Sequence, residues 1–202
     1  MPGLGSCDLA ESRREHRNSD TCFQLEAKRL FRRGRVDLES VLKLYDYNVW
    51  ANRQLQVAST QLRTETFVAP VPHSFGSLRG TLVHILDMEC AWRTLCQHGT
   101  LDAFGALDEA SFPMVGALEE RWKEEEREMR DYLASLSDDA LQGYVRYTTD
   151  EGEARERLLW HCLWHVVNHG THHRSDAAAI LRSFGIVTFG LDFTRFLSEE
   201  IR

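Results

Sequence analysis

The segment Leu163-Trp164-His165-Val166-Val167-Asn168-His169-Gly170-Thr171-His172-His173-Arg174-Ser175-Asp176 decides how this chain is read. With His161 it gathers five of the nine histidines into a short window where the chain average would place about 0.6. His161, His165, His169 and His173 follow at steps of four, so on a helix each ring lies one turn above the last. The row drifts by about 40° per step because 3.6 residues make a turn, so two neighbours can share one cation but four cannot. The apolar residues between them keep the helical period, and the spacing predicts a long helix over 155–183, stopped by Gly185.

Three further helices are expected upstream. Leu38, Val41, Leu42, Tyr45, Val49 and Leu55 recur at three- and four-residue steps, and Pro70 and Pro72 close the loop that follows. A second helix is expected from an N-cap at Ser77 to His98, with Gly99 as its stop. Leu78, Leu82, Ile85, Leu86 and Trp92 form one face of it, and Thr81, His84, Met88, Ala91 and Leu95 form another. A helix apolar on two sides belongs inside a bundle, so His84 is expected to point inward. A third helix is expected over 118–136, its many Glu and Arg residues reading as solvated surface. Val145, Tyr147 and Thr149 alternate before Asp150-Glu151-Gly152, which predicts a short hairpin or irregular loop. The fold class is therefore all-α, an up-and-down four-helix bundle with a hairpin or loop before its last long helix.

Composition bounds what such a bundle does. The 202 residues, 43% hydrophobic and 27% charged, suit one globular domain. Apolar runs are too short for a membrane span, and a net charge of -7 disfavours nucleic acid. Cys7, Cys22, Cys90, Cys96 and Cys162 are odd in number and show no C-x-x-C spacing, which points to a reducing cytoplasmic setting. The first 35 residues carry 8 Lys and Arg against 5 acids, the remainder 16 bases against 26 acids. Those acids argue against a transit peptide, so residues 1–35 are expected to be a poorly ordered or dispensable extension and residues 36–202 the working domain.

An i, i+4 pair of imidazoles plus a third from another helix is a standard three-histidine metal site. His84 is the best third donor, while spacing leaves the choice of pair on the last helix open. Three nitrogens without a carboxylate do not select among Zn, Ni, Fe and Cu. A zincin is excluded because Val166 and Gly170 stand where H-E-x-x-H needs glutamate, and a di-iron site because no Glu-x-x-His pairs face inward. His16, His73 and His98 read as ordinary surface or core residues.

The quoted segment resembles the signature of the DinB superfamily, written HVVNHGTHHRGQ. Tyr47-Asn48-Val49-Trp50-Ala51-Asn52 resembles that family's Y-N-x-W-A-N, and Gly76–Leu86 its S-x-R-x-T-x-x-H-I segment, in the same order over residues 37–184. The resemblance implies a four-helix bundle, usually dimeric, holding a divalent metal through His84, His169 and His173. Ser175-Asp176 departs from the family's Gly-Gln. Asp176 reads as a solvated helix charge, or as an acceptor orienting a ligand imidazole. His165 is expected to line the cavity or carry a proton, and is the second choice as a ligand; His172 is expected to point elsewhere, as a subunit-contact or surface residue.

By the same resemblance the expected activity is a thiol-dependent transferase or isomerase acting on a small electrophile. Its cofactors would be a divalent metal, Zn or Ni, and a low-molecular-weight thiol. Trp50, Asn48, Asn52 and Trp92 are candidate pocket walls, with core packing as their ordinary alternative. The rival readings are a non-catalytic metal-binding or stress-response bundle and a weaker one, a metal-water hydrolase. A small-molecule substrate and a homodimer are expected, with no nucleic-acid or membrane partner. Metal release is expected near the unperturbed imidazole pKa of about 6.5. Cys90 and Cys162 read as small core residues.

Overall fold

In the computed structural model, which describes residues 35–73, 75–102, 104–149, 152–188 and 190–200 (all but the side chain of Glu200), Asp37 opens the first helix. Its carboxylate accepts the Ser40 amide at 2.8 Å, satisfying one of the orphan donors that every helix start exposes. The helix, α1, runs Leu38–Ser59 and buries Val41, Tyr45 and Leu55. A single turn, α2 (Thr64–Phe67), leads to α3 (Leu78–His98). Ser77 caps α3 by accepting the Gly80 amide at 2.8 Å, and Gly99 ends it in the left-handed region at φ 74°. Helix α4 spans Val115–Ala134 and α5 spans Leu159–Ser183. A last short helix, α6 (Phe193–Glu200), opens where Asp192 accepts the Arg195 amide. The expected extension over residues 1–35 lies outside the described residues except for Arg35, and Asp37–Arg202 form one compact unit.

The fold is mostly helical. Helix α5 packs on α3 and α1, and α4 packs on the same two helices. Leu55, Leu78, Leu82, Ile85, Leu86, Leu118 and Leu181 fill the space between them, each worth roughly 1.5–3 kcal/mol of burial. No helix among the described residues is long and apolar enough to cross a membrane.

Three expectations change. The last long helix begins at Leu159, not near 155, because residues 154–158 form strand β2 (Ala154–Leu158). That strand pairs antiparallel with β1 (Tyr144–Thr148), Tyr144 opposite Leu158 and Thr148 opposite Ala154. A small sheet therefore stands before α5, and cross-strand pairing overrides whatever helical preference those polar residues have. Helix α4 begins at Val115 and ends at Ala134 rather than spanning 118–136. Its charged residues are not all solvated: Glu125 is fully buried and takes two bonds from Arg93, at 2.6 and 2.8 Å. Glu125 shares a helical stripe with Leu118, Trp122 and Met129, so its position rather than its polarity sends it inward.

Candidate metal centre

Helices α3 and α5 run antiparallel along one seam. His84 meets His173 with ring centroids 4.7 Å apart, and eight residues further along α3, Trp92 meets His165, eight residues back along α5, at 4.8 Å. His169 lies one turn before His173, its ring 4.4 Å from that neighbour and 5.1 Å from His84. Three imidazoles from two helices thus converge, each half-buried.

The Nε2 atoms of His84 and His169 stand 3.3 Å apart. One ligand nitrogen from each of His84, His169 and His173 lies within 4.8 Å of the other two. Nitrogens held about 2.0–2.1 Å from a tetrahedral cation sit about 3.3–3.4 Å from each other, so the closest pair already has that spacing. The donor set is all imidazole nitrogen, which suits a borderline divalent ion. The buried Nδ1 of His173 has no hydrogen-bond partner. It faces Asp176 Oδ2 at 3.5 Å, too long for a made hydrogen bond. Asp176 is half-buried and turned toward the cluster rather than fully solvated.

Electrostatics keep these rings neutral. Burial, helped by the nearby His173 charge, lowers the His84 pKa to about 4. Burial also lowers His169 to about 4, with further pressure from His173, His84, His165 and His172. His173 is lowered too, by burial and then by His172, against the opposing pull of Asp176. Neutral imidazole is the ligand form, and the lowered values of all three rings favour it. Desolvation of the charged rings would move acid release of a metal held there below the unperturbed imidazole value expected above.

Phe75, from the loop before α3, stacks on His84 at 3.9 Å and 18° and meets His173 edge-on at 5.2 Å. Gly76 turns the chain there at φ 69°. A Cβ on Gly80 would stand 2.2 Å from the Phe75 carbonyl oxygen. Glycine at position 80 therefore lets the loop close onto α3. Sequence reasoning did not single out Phe75, because an aromatic in a Gly-Ser loop carries no periodic signal.

Beneath the histidines lies a polar core, also missed. The Arg174 Nη1 atom donates to Asn48 Oδ1 at 2.5 Å and to Asn52 Oδ1 at 2.9 Å. The amides of the same two asparagines donate to Glu89 Oε1 at 2.6 and 2.9 Å, and Trp122 Nε1 donates to Glu89 Oε2 at 2.8 Å. The Arg174 Nη2 atom reaches Thr171 Oγ1 at 2.8 Å. Gly170 makes room for this: a Cβ there would lie 2.7 Å from Arg174 Nη1 and 3.0 Å from Asn48 Oδ1. Asn48 and Asn52 thus hold α1, α3 and α5 together rather than walling a pocket by the histidines. Trp50 is also elsewhere, bonded to Glu199 at 2.9 Å and packed on Phe196 of α6.

Of the remaining histidines, His165 is exposed, edge-on to Trp92, and outside the three-ring cluster. His161 is exposed beside Trp160. His172 is exposed and outside the three-ring cluster, with its ring stacked beside that of His173 at 17°. A cavity of about 670 Å³ opens between the C-terminal end of α3 and the hairpin, lined by Leu95, Tyr147 and Arg155 among others. A second, of about 190 Å³, lies between α1 and α4 with Asn52, Glu89 and Trp122 in its wall. Neither is lined by the three histidines.

A family model described as "DinB family" matches residues 37–202. The chain is 28% identical over 165 residues to Protein DinB of Bacillus subtilis (strain 168), an alignment covering 77% of this chain and 92% of that protein. Its fold is similar to that of a crystal structure of a DinB-like protein from Bacillus cereus ATCC 10987, at a TM-score of 0.54 and 14% identity over 76% of this chain and 97% of the other.

Proposed function

Since the chain belongs to the DinB family, we propose that His84, His169 and His173 hold one divalent metal ion, Zn or Ni, and that the protein is a metal-dependent transferase or isomerase joining a low-molecular-weight thiol to a small electrophile. The observation that carries this reading is the 3.3 Å approach of the His84 and His169 Nε2 atoms with His173 beside them. When bound, the cation would supply a positive charge that lowers the pKa of a coordinated thiol or water. The protein's part is to keep three rings neutral by burial and to set their spacing through the α3–α5 seam. Phe75 keeps water from one face of His84. Exposed His165, one turn before His169, is the residue we read as a proton carrier.

The four long helices we read as an up-and-down bundle, supported by the packing of α5 and α4 each on α1 and α3. We read the protein as a cytoplasmic homodimer acting on small molecules, the location from its odd, unpaired-looking cysteine set and the dimer from the family resemblance. Residues 1–35 we read as dispensable: a chain starting at Val36 is expected to fold and bind metal, and loss of either would refute that.

One observation favours a second reading. The three histidines bridge α3 and α5, so a metal there also staples two helices, as a non-catalytic metal-binding or stress-response protein would require. Elemental analysis of the purified protein, followed by a thermal-shift screen with small thiols, separates the two. A metal-dependent shift with thiol supports the enzyme. Bound metal with no thiol response supports the staple, and absence of any stoichiometric metal sinks both.

A further inference from the structure

Asp176 stands one turn beyond His173 on α5, and its Oδ2 atom comes to 3.5 Å from His173 Nδ1. That nitrogen is buried and has no hydrogen-bond partner, a state that costs free energy while it lasts. The Asp176 side chain is 32% exposed, so it can turn without disturbing the core. A movement of less than about 1 Å brings it to the roughly 2.7–2.9 Å of a charge-assisted hydrogen bond.

The plane of the His173 ring is already held. His172 stacks beside it at 17°, and His84 and Phe75 meet it edge-on at 4.7 and 5.2 Å. What ring contacts cannot choose is the tautomer. A neutral imidazole carries its one proton on either nitrogen, and the hydrogen bond made by one nitrogen decides which. An ionised carboxylate only accepts, so Asp176 facing Nδ1 favours the proton there and leaves the Nε2 lone pair free to ligate. Asp176 is not among the converging ligand groups, which are His84, His169 and His173. Its oxygen therefore acts through the ring and not on the ion.

We propose that Asp176 is a positioning residue for the metal centre: its carboxylate accepts the His173 Nδ1–H and fixes the tautomer whose Nε2 serves as a ligand beside those of His84 and His169. This rests on the three-histidine reading and adds the residue that sets one of its ligands. A carboxylate in that place also raises the basicity of the ring, and losing such a partner weakens metal binding by about 10–100-fold.

The test measures zinc and nickel affinity of the full chain, by competition with a chelating indicator near neutral pH, for the wild type, Asp176→Asn and Asp176→Ala. Asp176→Ala is expected to bind about 10–100-fold more weakly, with Asp176→Asn in between, while the urea midpoint of the metal-free protein stays unchanged. In the zinc-loaded protein, with its histidines nitrogen-labelled, the NMR signal of the His173 Nδ1 proton is expected downfield in the wild type and shifted upfield in Asp176→Asn. A residue that only stabilised the helix would leave that signal in place. Equal affinities in all three proteins, a matching loss of metal-free stability in the variants, or a His173 proton on Nε2 rather than Nδ1 would each overturn the proposal and leave the three-histidine site standing. A wild type that takes up neither metal in stoichiometric amount would remove the three-histidine reading and this inference with it.

Discussion

Arg174 and Glu89 share their charges through two intermediaries: the side-chain oxygens of Asn48 and Asn52 take the guanidinium, while their amide nitrogens give to one carboxylate oxygen. Both charged residues are almost wholly buried. Burial pushes the Glu89 pKa up and the Arg174 pKa down, while the amides of Asn48 and Asn52, the Trp122 indole and the opposite charge act against it on Glu89. The Y-N-x-W-A-N motif on α1 is the link between the two charges, and it clamps the helices that carry the histidines.

Breaking that link should be costly. Arg174→Met leaves the Glu89 carboxylate buried without its counter-charge and is expected to lower unfolding stability by about 3–5 kcal/mol. Urea denaturation of the apo and metal-loaded protein measures it. Arg174→Lys should not restore the loss, because one ammonium cannot reproduce the forked contacts to Asn48, Asn52 and Thr171.

Gly170 offers a test with an unusual sign. In most helix interiors Gly→Ala stabilises by about 0.5–1 kcal/mol. Here the added methyl meets Arg174 Nη1 at 2.7 Å, and that atom is held by two asparagines and cannot swing aside. Gly170→Ala is expected to destabilise by about 1–3 kcal/mol, read as a lowered thermal midpoint. A stabilised variant would show that the guanidinium moves freely.

The ligand assignment is tested by elemental analysis of alanine variants. His84→Ala, His169→Ala and His173→Ala should each lose stoichiometric metal, whereas His161→Ala and His172→Ala keep it. Equal loss from all five would mean that the cluster was wrongly chosen.

The pH dependence carries a definite sign. His84 and His169 have folded pKa values near 4, below the unfolded value of about 6.5. Between those limits the unfolded chain binds more protons, so the stability of the metal-free protein is full above about pH 6.5 and declines as pH falls toward 4. Metal should stay bound at pH 5. Thermal midpoints and metal content across pH 4–8 check both statements, and release complete by pH 6 would contradict them.

Much of this could be read in the sequence. The starts of α1 and α3 are legible because Asp37 and Ser77 precede periodic apolar runs, whereas spacing leaves the histidine pair on α5 open and the family motif alone selects His169 and His173. What lay hidden depended on partners distant in the chain. Glu125 reads as solvated surface because Arg93 lies on another helix, and no local pattern points to Glu89, whose partners Asn48 and Asn52 stand 41 and 37 positions away. The start of α5 was misplaced because a strand and a helix can both begin with Arg155-Glu156-Arg157. Helix α6 was missed, although Asp192 with Phe193, Phe196 and Leu197 carries a cap and a helical spacing.

The seam also has a kinetic meaning. His169 and His173 become neighbours as soon as one turn of α5 forms, but His84 arrives only when a helix far away in sequence docks against it. Closing so long a loop is slow compared with making a helical turn. A metal held as proposed would therefore bind late in folding, and its uptake would time the docking of α3 on α5 rather than the growth of either helix.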